Sequence, residues 1–282
     1  MASNLLARRA GVLVAGTGLY VGVVYGTYSY LTAGANEQTA TLGELQNQQT
    51  HHHHPEHGDQ CSCFSFTNNP SRNHRYQEIA NIYDEQIGRD EFFMGINLLR
   101  RCMFFFHAKG TVLEVGAGTG RNLSYYPQQS VDRVLLTDVS DQMLWQAREK
   151  IRNMTNEGQR QRFACLEADA QNLDFPDGYF DTVVDTFGLC SYNDPVRVLR
   201  ELSRVCKPDG KILLLEHGRS KTWESITKYL DRHAERHAKN WGCVWNRDLD
   251  ALVENAGLEV ERLDTWHFGT TYYIICRPKR TE

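Results

Sequence analysis

Glu114, Gly116, Gly118 and Gly120 stand at alternate positions immediately after the apolar run Thr111-Val112-Leu113. Glycines spaced in this way let a backbone pass within contact distance of a ligand, because no Cβ intrudes. Asp138 lies eighteen residues beyond Gly120, at the end of a second apolar run, Arg133 to Thr137. A carboxylate at that point can accept both hydroxyls of a ribose. A third strand-like run, Arg162 to Glu167, ends at Ala168-Asp169-Ala170 and brings a second acid to a neighbouring strand end. Together these residues fit a nucleoside ligand. They do not fit the dinucleotide fingerprint G-x-G-x-x-G, whose third glycine would fall at Arg121.

Other residues could take part in chemistry. His217 closes a fifth apolar run, Lys211 to Leu215, and is placed to remove a proton from an acceptor. It could equally satisfy a buried backbone group. His233 and His237 are one helical turn apart, but His-Ala-Glu-Arg-His is not the zinc motif H-E-x-x-H, and helix packing accounts for them. His51 to His54, His57, Cys61 and Cys63 carry soft-metal ligands without the two separated pairs of a structural zinc site, so a solvated low-complexity run is expected there. No metal-ligand set is assigned. Trp241, Trp245 and Trp266 fit either an acceptor pocket or aromatic core.

The elements that must position these groups can be read from periodicity. Strand 111–115, the glycine loop and a helix opening at Arg121-Asn122 form the first unit. Met143 heads a stripe with Leu144, Ala147, Ile151 and Met154 that would pack on a sheet. Asp174 to Asp181 leads into a strand over 182–186. Asp194-Pro195 then caps a helix whose apolar face is Val198, Leu199, Leu202 and Val205. Lys207-Pro208-Asp209-Gly210 turns into the fifth strand. Later helices are expected over 222–239 and 247–256, and strands over 258–265 and 271–277. Residues 76–106 should be helical and could cover the ligand crevice.

The motif order from about residue 110 to 217 resembles the class I S-adenosylmethionine (SAM) dependent methyltransferases. The segments around Glu216-His217-Gly218, Asn240 to Asp248 and His267 to Tyr272 are similar to a narrower group, the membrane-anchored mitochondrial methyltransferase-like proteins of the Oms type. The resemblance implies an α/β Rossmann-like fold, with a seven-stranded, mostly parallel sheet, helices on both faces and an antiparallel last strand. It also implies S-adenosyl-L-methionine as cofactor. Glu114, Gly116, Gly118 and Gly120 would form the cofactor loop, Asp138 would hold the ribose, and Met143 would lie on the adenine face or simply pack. Asp169, with Ala170 beside it, would read the adenine amine.

The 282-residue chain is 41% hydrophobic with a formal charge of −4, so no global basic field exists to attract nucleic acid. Its eight cysteines are scattered and imply no disulfide framework. Residues 10–33 carry no charge and are long enough as a helix to cross about 30 Å of hydrocarbon. Gly18, Gly22 and Gly26 share one face of that helix, where a second helix could pack. Arg8 and Arg9 precede the span in a basic segment, 1–9, that resembles mitochondrial targeting; the endoplasmic reticulum is the alternative membrane. Residues 34–75 read as a polar tether and 76–282 as the catalytic domain. The expected function is methyl transfer to a small-molecule or lipid-like acceptor, the competing reading a catalytically silent assembly factor of a mitochondrial membrane.

Overall fold

The computed structural model describes residues 71–279. The expected span 10–33, its three glycines, the basic segment 1–9 and the greater part of the tether lie outside those residues. Among the described residues no helix is long and apolar enough to cross a membrane.

Seven strands form one sheet: β1 (Gly110–Val115), β2 (Val131–Asp138), β3 (Phe163–Glu167), β4 (Phe180–Thr186), β5 (Cys206–His217), β6 (Glu259–Trp266) and β7 (Thr271–Arg277). Their spatial order is β3-β2-β1-β4-β5-β7-β6. The pairs from β3 to β5 are parallel, and β7 runs antiparallel to both its neighbours, as expected. Seven helices accompany it among the described residues: α1 (Ser71–Phe93), α2 (Ile96–His107), α3 (Asp141–Arg152), α4 (Glu157–Arg160), α5 (Pro195–Val205), α6 (Glu224–Trp241) and α7 (Leu249–Ala256).

Successive side chains of a strand point to opposite faces. Leu113, Val115, Ile212, Leu214 and Ile274 accordingly meet α5 and α7 through Val198, Leu199, Leu202 and Val253. Val112, Val134, Leu213, Leu215 and Ile275 meet Ile96, Met103 and Phe104 of α2 on the other face. With both faces covered, the central strands can be apolar throughout, which is why they read as continuous runs.

Three expectations need correction. No α-helix follows the glycine loop. Residues 118–125 instead wind through turns, closed by Gly120 N–H to Ala117 O at 3.0 Å, Leu123 N–H to Gly120 O at 3.3 Å and Tyr125 N–H to Asn122 O at 2.9 Å. The side chain of Asn122 is held by tertiary partners, which favours this local winding over a regular helix. The helix expected over 76–106 begins at Ser71 and is two helices, broken at Gly95, whose φ of 69° no continuing helix adopts. The helix expected from Arg247 starts at Leu249, because the Asp248 side chain caps it by accepting from Ala251 N–H. The Asp194 cap and Pro195 at the first turn of α5 stand as read.

A buried polar chain fixes the loop to the helices. Glu114, 1% exposed, accepts from Asn122 Nδ2 at 2.8 Å and from the Tyr126 hydroxyl at 2.6 Å. Asn122 Oδ1 in turn accepts from Arg100 Nη1. Arg100 also donates to Thr186 Oγ1 at 3.1 Å and pairs with Glu91 Oε1 of α1 at 2.7 Å. Arg121 adds ion pairs to Glu91 at 2.6 Å and Asp84 at 3.0 Å.

Burial pushes the Glu114 carboxyl from 4.5 up to about 7, against the opposing pull of its Tyr126 and Asn122 hydrogen bonds. A folded-state value above the unfolded one gives a contribution that is complete below pH 4.5 and lost as pH climbs through 7. The size is about 3 kcal/mol. The difference in urea midpoint between wild type and Glu114→Gln should therefore change between pH 4 and pH 8 in that direction, and a flat difference would refute the assignment. Leu202→Ala, at a fully buried position of α5, should cost about 2–5 kcal/mol, read as a lowered midpoint at unchanged denaturant slope.

Candidate functional site

The carboxyl ends of β1, β2, β3, β4 and β5 lie along one edge of the sheet, where a doubly wound fold binds its ligands. At the first tip the loop turns at Gly116, whose φ is 55° and where a Cβ would come within 2.5 Å of the Tyr192 hydroxyl. Gly118 has the same φ of 55°, but a Cβ there would meet nothing within 4 Å. The loop is thus tight at Gly116 and open above Gly118. Ala117 N–H donates to Thr137 O at 2.9 Å, so the loop is stitched to the end of β2.

Asp138 completes that junction. Its Oδ2 accepts from Gly118 N–H at 2.9 Å and its Oδ1 from Ser140 N–H at 2.8 Å. Burial raises this carboxyl, and backbone donors at Ser140, Gly118 and Val139 partly offset the shift. A carboxylate offers about four acceptor directions, so these donors leave acceptor capacity for a ligand. Asp138 pairs in register with Glu167, and Ala168 N–H reaches Asp138 O at 3.1 Å. Asp169, two residues past Glu167, therefore sits on the adjacent tip; it is exposed, with Oδ1 accepting from Gln171 N–H at 2.9 Å, and Ala170 next to it is buried.

Two predicted positions face inward. Glu114 lies beneath the loop with both oxygens engaged. Met143, in the first turn of α3, is 2% exposed and packs against Ile79 and Ala80 of α1, with Tyr76 and Tyr83 alongside. Helix α1 thereby lies over the β2 side of the edge, and Thr119 Oγ1 donates to its Asp84 at 2.7 Å.

At the tip of β5, His217 Nε2 stands 3.0 Å from Cys243 Sγ, and its ring meets Phe187 edge-on at 5.6 Å between centroids. Cys190, in the loop after β4, is the third member of this group: the ligand atoms of Cys190, His217 and Cys243 all lie within 4.8 Å of one another. Hydrogen bonding with Cys243 and the facing imidazole hold the Cys190 thiol well below its usual value. Val244 N–H donates to Cys190 O at 2.9 Å and fastens the two cysteine segments together. Tyr76 of α1 reaches the same loop through Ser191 Oγ at 2.7 Å. Asp185 and Glu216, both fully buried, are raised well above the carboxylate range, first by burial and then by neighbouring negative charge.

The sequence did not reveal Cys190, Cys243, Asp185 or Arg100. The cysteines flank His217 at distances of tens of residues, too far for a spacing motif, although Cys190 lies in the loop after β4 and Cys243 just past the cap of α6. His237 is stacked on Trp245 at 3.8 Å and drawn down to about 4, chiefly by burial, as a packed helix histidine should be. Trp245 Nε1 donates to Leu230 O at 2.9 Å, whereas Trp241 and Trp266 remain substantially exposed.

A methyltransferase-domain family profile matches residues 113–214, the stretch that carries these tips. The mitochondrial methyltransferase OMS1 of Saccharomyces cerevisiae is 36% identical over 72% of this chain and 45% of its own length. A phosphatidylethanolamine N-methyltransferase of Cereibacter sphaeroides is 38% identical over 48% of this chain and 63% of its own. This chain therefore spans under two thirds of either of those two relatives. The ubiquinone/menaquinone biosynthesis C-methyltransferase UbiE of Salmonella arizonae is 30% identical over 63% of this chain and 71% of its own. Among solved structures, a SAM-dependent methyltransferase of Thermotoga maritima superposes with a TM-score of 0.54 at 21% identity, covering 74% of this chain and all of that one. With the fold, the glycine loop and these relatives in agreement, the chain belongs to the class I SAM-dependent methyltransferases.

Proposed function

We propose that the chain is a membrane-anchored methyltransferase of a mitochondrial membrane, the inner one, that moves the methyl group of S-adenosyl-L-methionine to a small-molecule or lipid-like acceptor. The carrying observation is the junction of Gly118 and Asp138. There an open glycine and a carboxylate with spare acceptor capacity are joined by a 2.9 Å hydrogen bond. That combination suits a ribose on Asp138 and a ligand backbone lying over Gly118. Asp169 on the next tip suits an adenine amine, while Met143 is covered by α1 and supports the tip by packing. Glu114 acts from below by holding the loop.

When bound, S-adenosyl-L-methionine supplies an electrophilic methyl on a sulfonium. Displacement at that carbon is in line, so the chain's task is to hold the acceptor opposite the leaving sulfur and to keep water out. Proton-accepting capacity at the acceptor end lies in His217, which faces the Cys190 and Cys243 sulfurs. Helix α1, which touches both the cofactor end and the Ser191 loop, suits the work of covering the crevice.

Two features support an apolar acceptor. Phe92, Phe93, Leu98, Phe105 and Phe106 of α1 and α2 are exposed to solvent. The relatives named above include one that by its name methylates phosphatidylethanolamine and one that serves quinone biosynthesis. The mitochondrial placement rests on the yeast relative and on the basic amino-terminal segment, and the anchor on the uncharged run 10–33, whose Gly18, Gly22 and Gly26 offer a helix-packing face.

Incubation of the full chain with methyl-labelled SAM should transfer label to one of three acceptors: phosphatidylethanolamine vesicles, a demethylated quinone precursor or a small thiol. Retention of SAM binding with no label on any acceptor would favour the silent assembly factor. Asp138→Asn should weaken SAM binding by about 10- to 100-fold in calorimetry, the loss expected for one charge-assisted hydrogen-bond partner. Unchanged affinity would remove Asp138 from the cofactor site.

A further inference from the structure

We propose that Cys190, His217 and Cys243 form a site for a thiophilic divalent cation, zinc above all, with a fourth position left for water or acceptor. The three side chains come from three separate segments: the loop after β4, the tip of β5 and the residue after the α6 cap Gly242. Their ligand atoms nevertheless converge within 4.8 Å. Tetrahedral zinc with bonds of about 2.3 Å to sulfur and about 2.0–2.1 Å to nitrogen needs ligand separations of roughly 3.6–3.8 Å. The His217 to Cys243 distance of 3.0 Å would open by about 0.6 Å and the widest separation would close by about 1 Å, both within reach of side-chain rotation.

The chemistry of the set agrees with its geometry. Two thiolates and a neutral imidazole balance a dication, which suits a buried position where net charge is costly. Two sulfurs and one imidazole select zinc or a similarly soft ion over magnesium or calcium. Three protein ligands without a fourth among the described residues is the pattern of a catalytic zinc, whose open position takes the reacting group.

Two buried carboxyl groups stand near the cluster. Asp185 Oδ2 and Glu216 Oε2 are buried and have no hydrogen-bond partner among the described residues. Both carboxylates interact electrostatically with Cys190, and Glu216 adjoins His217 in the chain. A concentration of buried acceptors of this kind is uncommon in a folded protein unless an ion or water satisfies it. The backbone is also set in advance: His217 is in register with Thr271 of β7, and Val244 N–H pins Cys190 O at 2.9 Å, so no loop need fold around the ion.

The assignment goes beyond the methyltransferase reading and does not depend on it. If zinc occupies the site, His217 is a ligand and not a free base, and an acceptor thiol or hydroxyl at the fourth position would lose its proton to solvent under the influence of the metal.

The test uses the full chain, reduced and stripped of metal, titrated with Co²⁺. Binding at the site should produce a thiolate-to-cobalt charge-transfer band and the intense visible bands of four-coordinate cobalt, at one ion per chain, and Zn²⁺ should abolish both. Cys190→Ser and Cys243→Ser should each weaken Zn²⁺ binding by about 100-fold or more. Cys61→Ser/Cys63→Ser, in the His-rich segment, should leave the bands unchanged. Circular dichroism and SAM calorimetry on every variant separate a lost metal site from a lost fold. Zn²⁺ should also raise the melting temperature of the wild type and not of the Cys190 or Cys243 variants. Absence of the thiolate band in the wild type, or its survival in a folded Cys190→Ser/Cys243→Ser double variant, would overturn the proposal. SAM binding in those same samples tests the methyltransferase reading independently.

Discussion

The arrangement of the cofactor edge depends on the buried chain that runs from Glu91 through Arg100 and Asn122 to Glu114. Arg100 is 3% exposed and Glu114 1%, so both were taken out of water almost completely. Removing an ion from water costs several kcal/mol unless its partners replace the lost hydration. Here the guanidinium has Glu91, Asn122 and Thr186, and the Glu114 carboxylate has Asn122 and Tyr126. Removing one member leaves another buried and unsatisfied. The chain is therefore a strong specifier of geometry: it admits one position for the turns after Gly120, one for α2 and one for the carboxyl end of α1.

That constraint explains how a glycine loop without a following helix can still be precise. In many nucleotide-binding folds a helix dipole and its free N–H groups fix the loop. In this chain the stiffness comes from side chains beneath it, and from the Ala117 to Thr137 and Gly118 to Asp138 hydrogen bonds that join it to β2. Asp138, the acid proposed for the ribose, thus also holds the loop. The proposed ribose ligand would therefore be a folding residue too, and burial is what raises both the Asp138 and the Glu114 carboxyls.

The parts legible in the sequence were those fixed by local pattern. β1, β2, β4 and β5 appear as apolar runs because helices cover both faces, and Asp194-Pro195 announces α5 because capping chemistry is local. The adjacency of Asp138 and Asp169 was also within reach, since parallel neighbours place successive strand ends side by side. Long-range pairing was not legible. Arg100 reads as one charge in an amphipathic helix, and only the fold shows that it reaches Asn122 and Thr186. Asn122 reads as a helix opener, yet its side chain is committed elsewhere, and the backbone winds into turns. Glu114 belongs to the motif by position, but its burial under the loop could not be read from spacing.

The same limit applies to the acceptor end, where the topology does what spacing cannot. Parallel pairing of β4 with β5 sets Thr186 beside Leu215, so the loop carrying Cys190 must leave the sheet next to His217. The antiparallel β7 then sets Thr271 opposite His217 and fixes that tip from its other side. Helix α6 ends at Gly242 with a left-handed turn that delivers Cys243 to the same point, and the hydrogen bond from Val244 to Cys190 closes the triangle. Helix α1 meets both ends of the edge, through Met143 at one and Ser191 at the other. Its clamp to Arg100 therefore also sets how closely it can approach the acceptor side, so that one buried ion pair constrains the dimensions of the whole crevice.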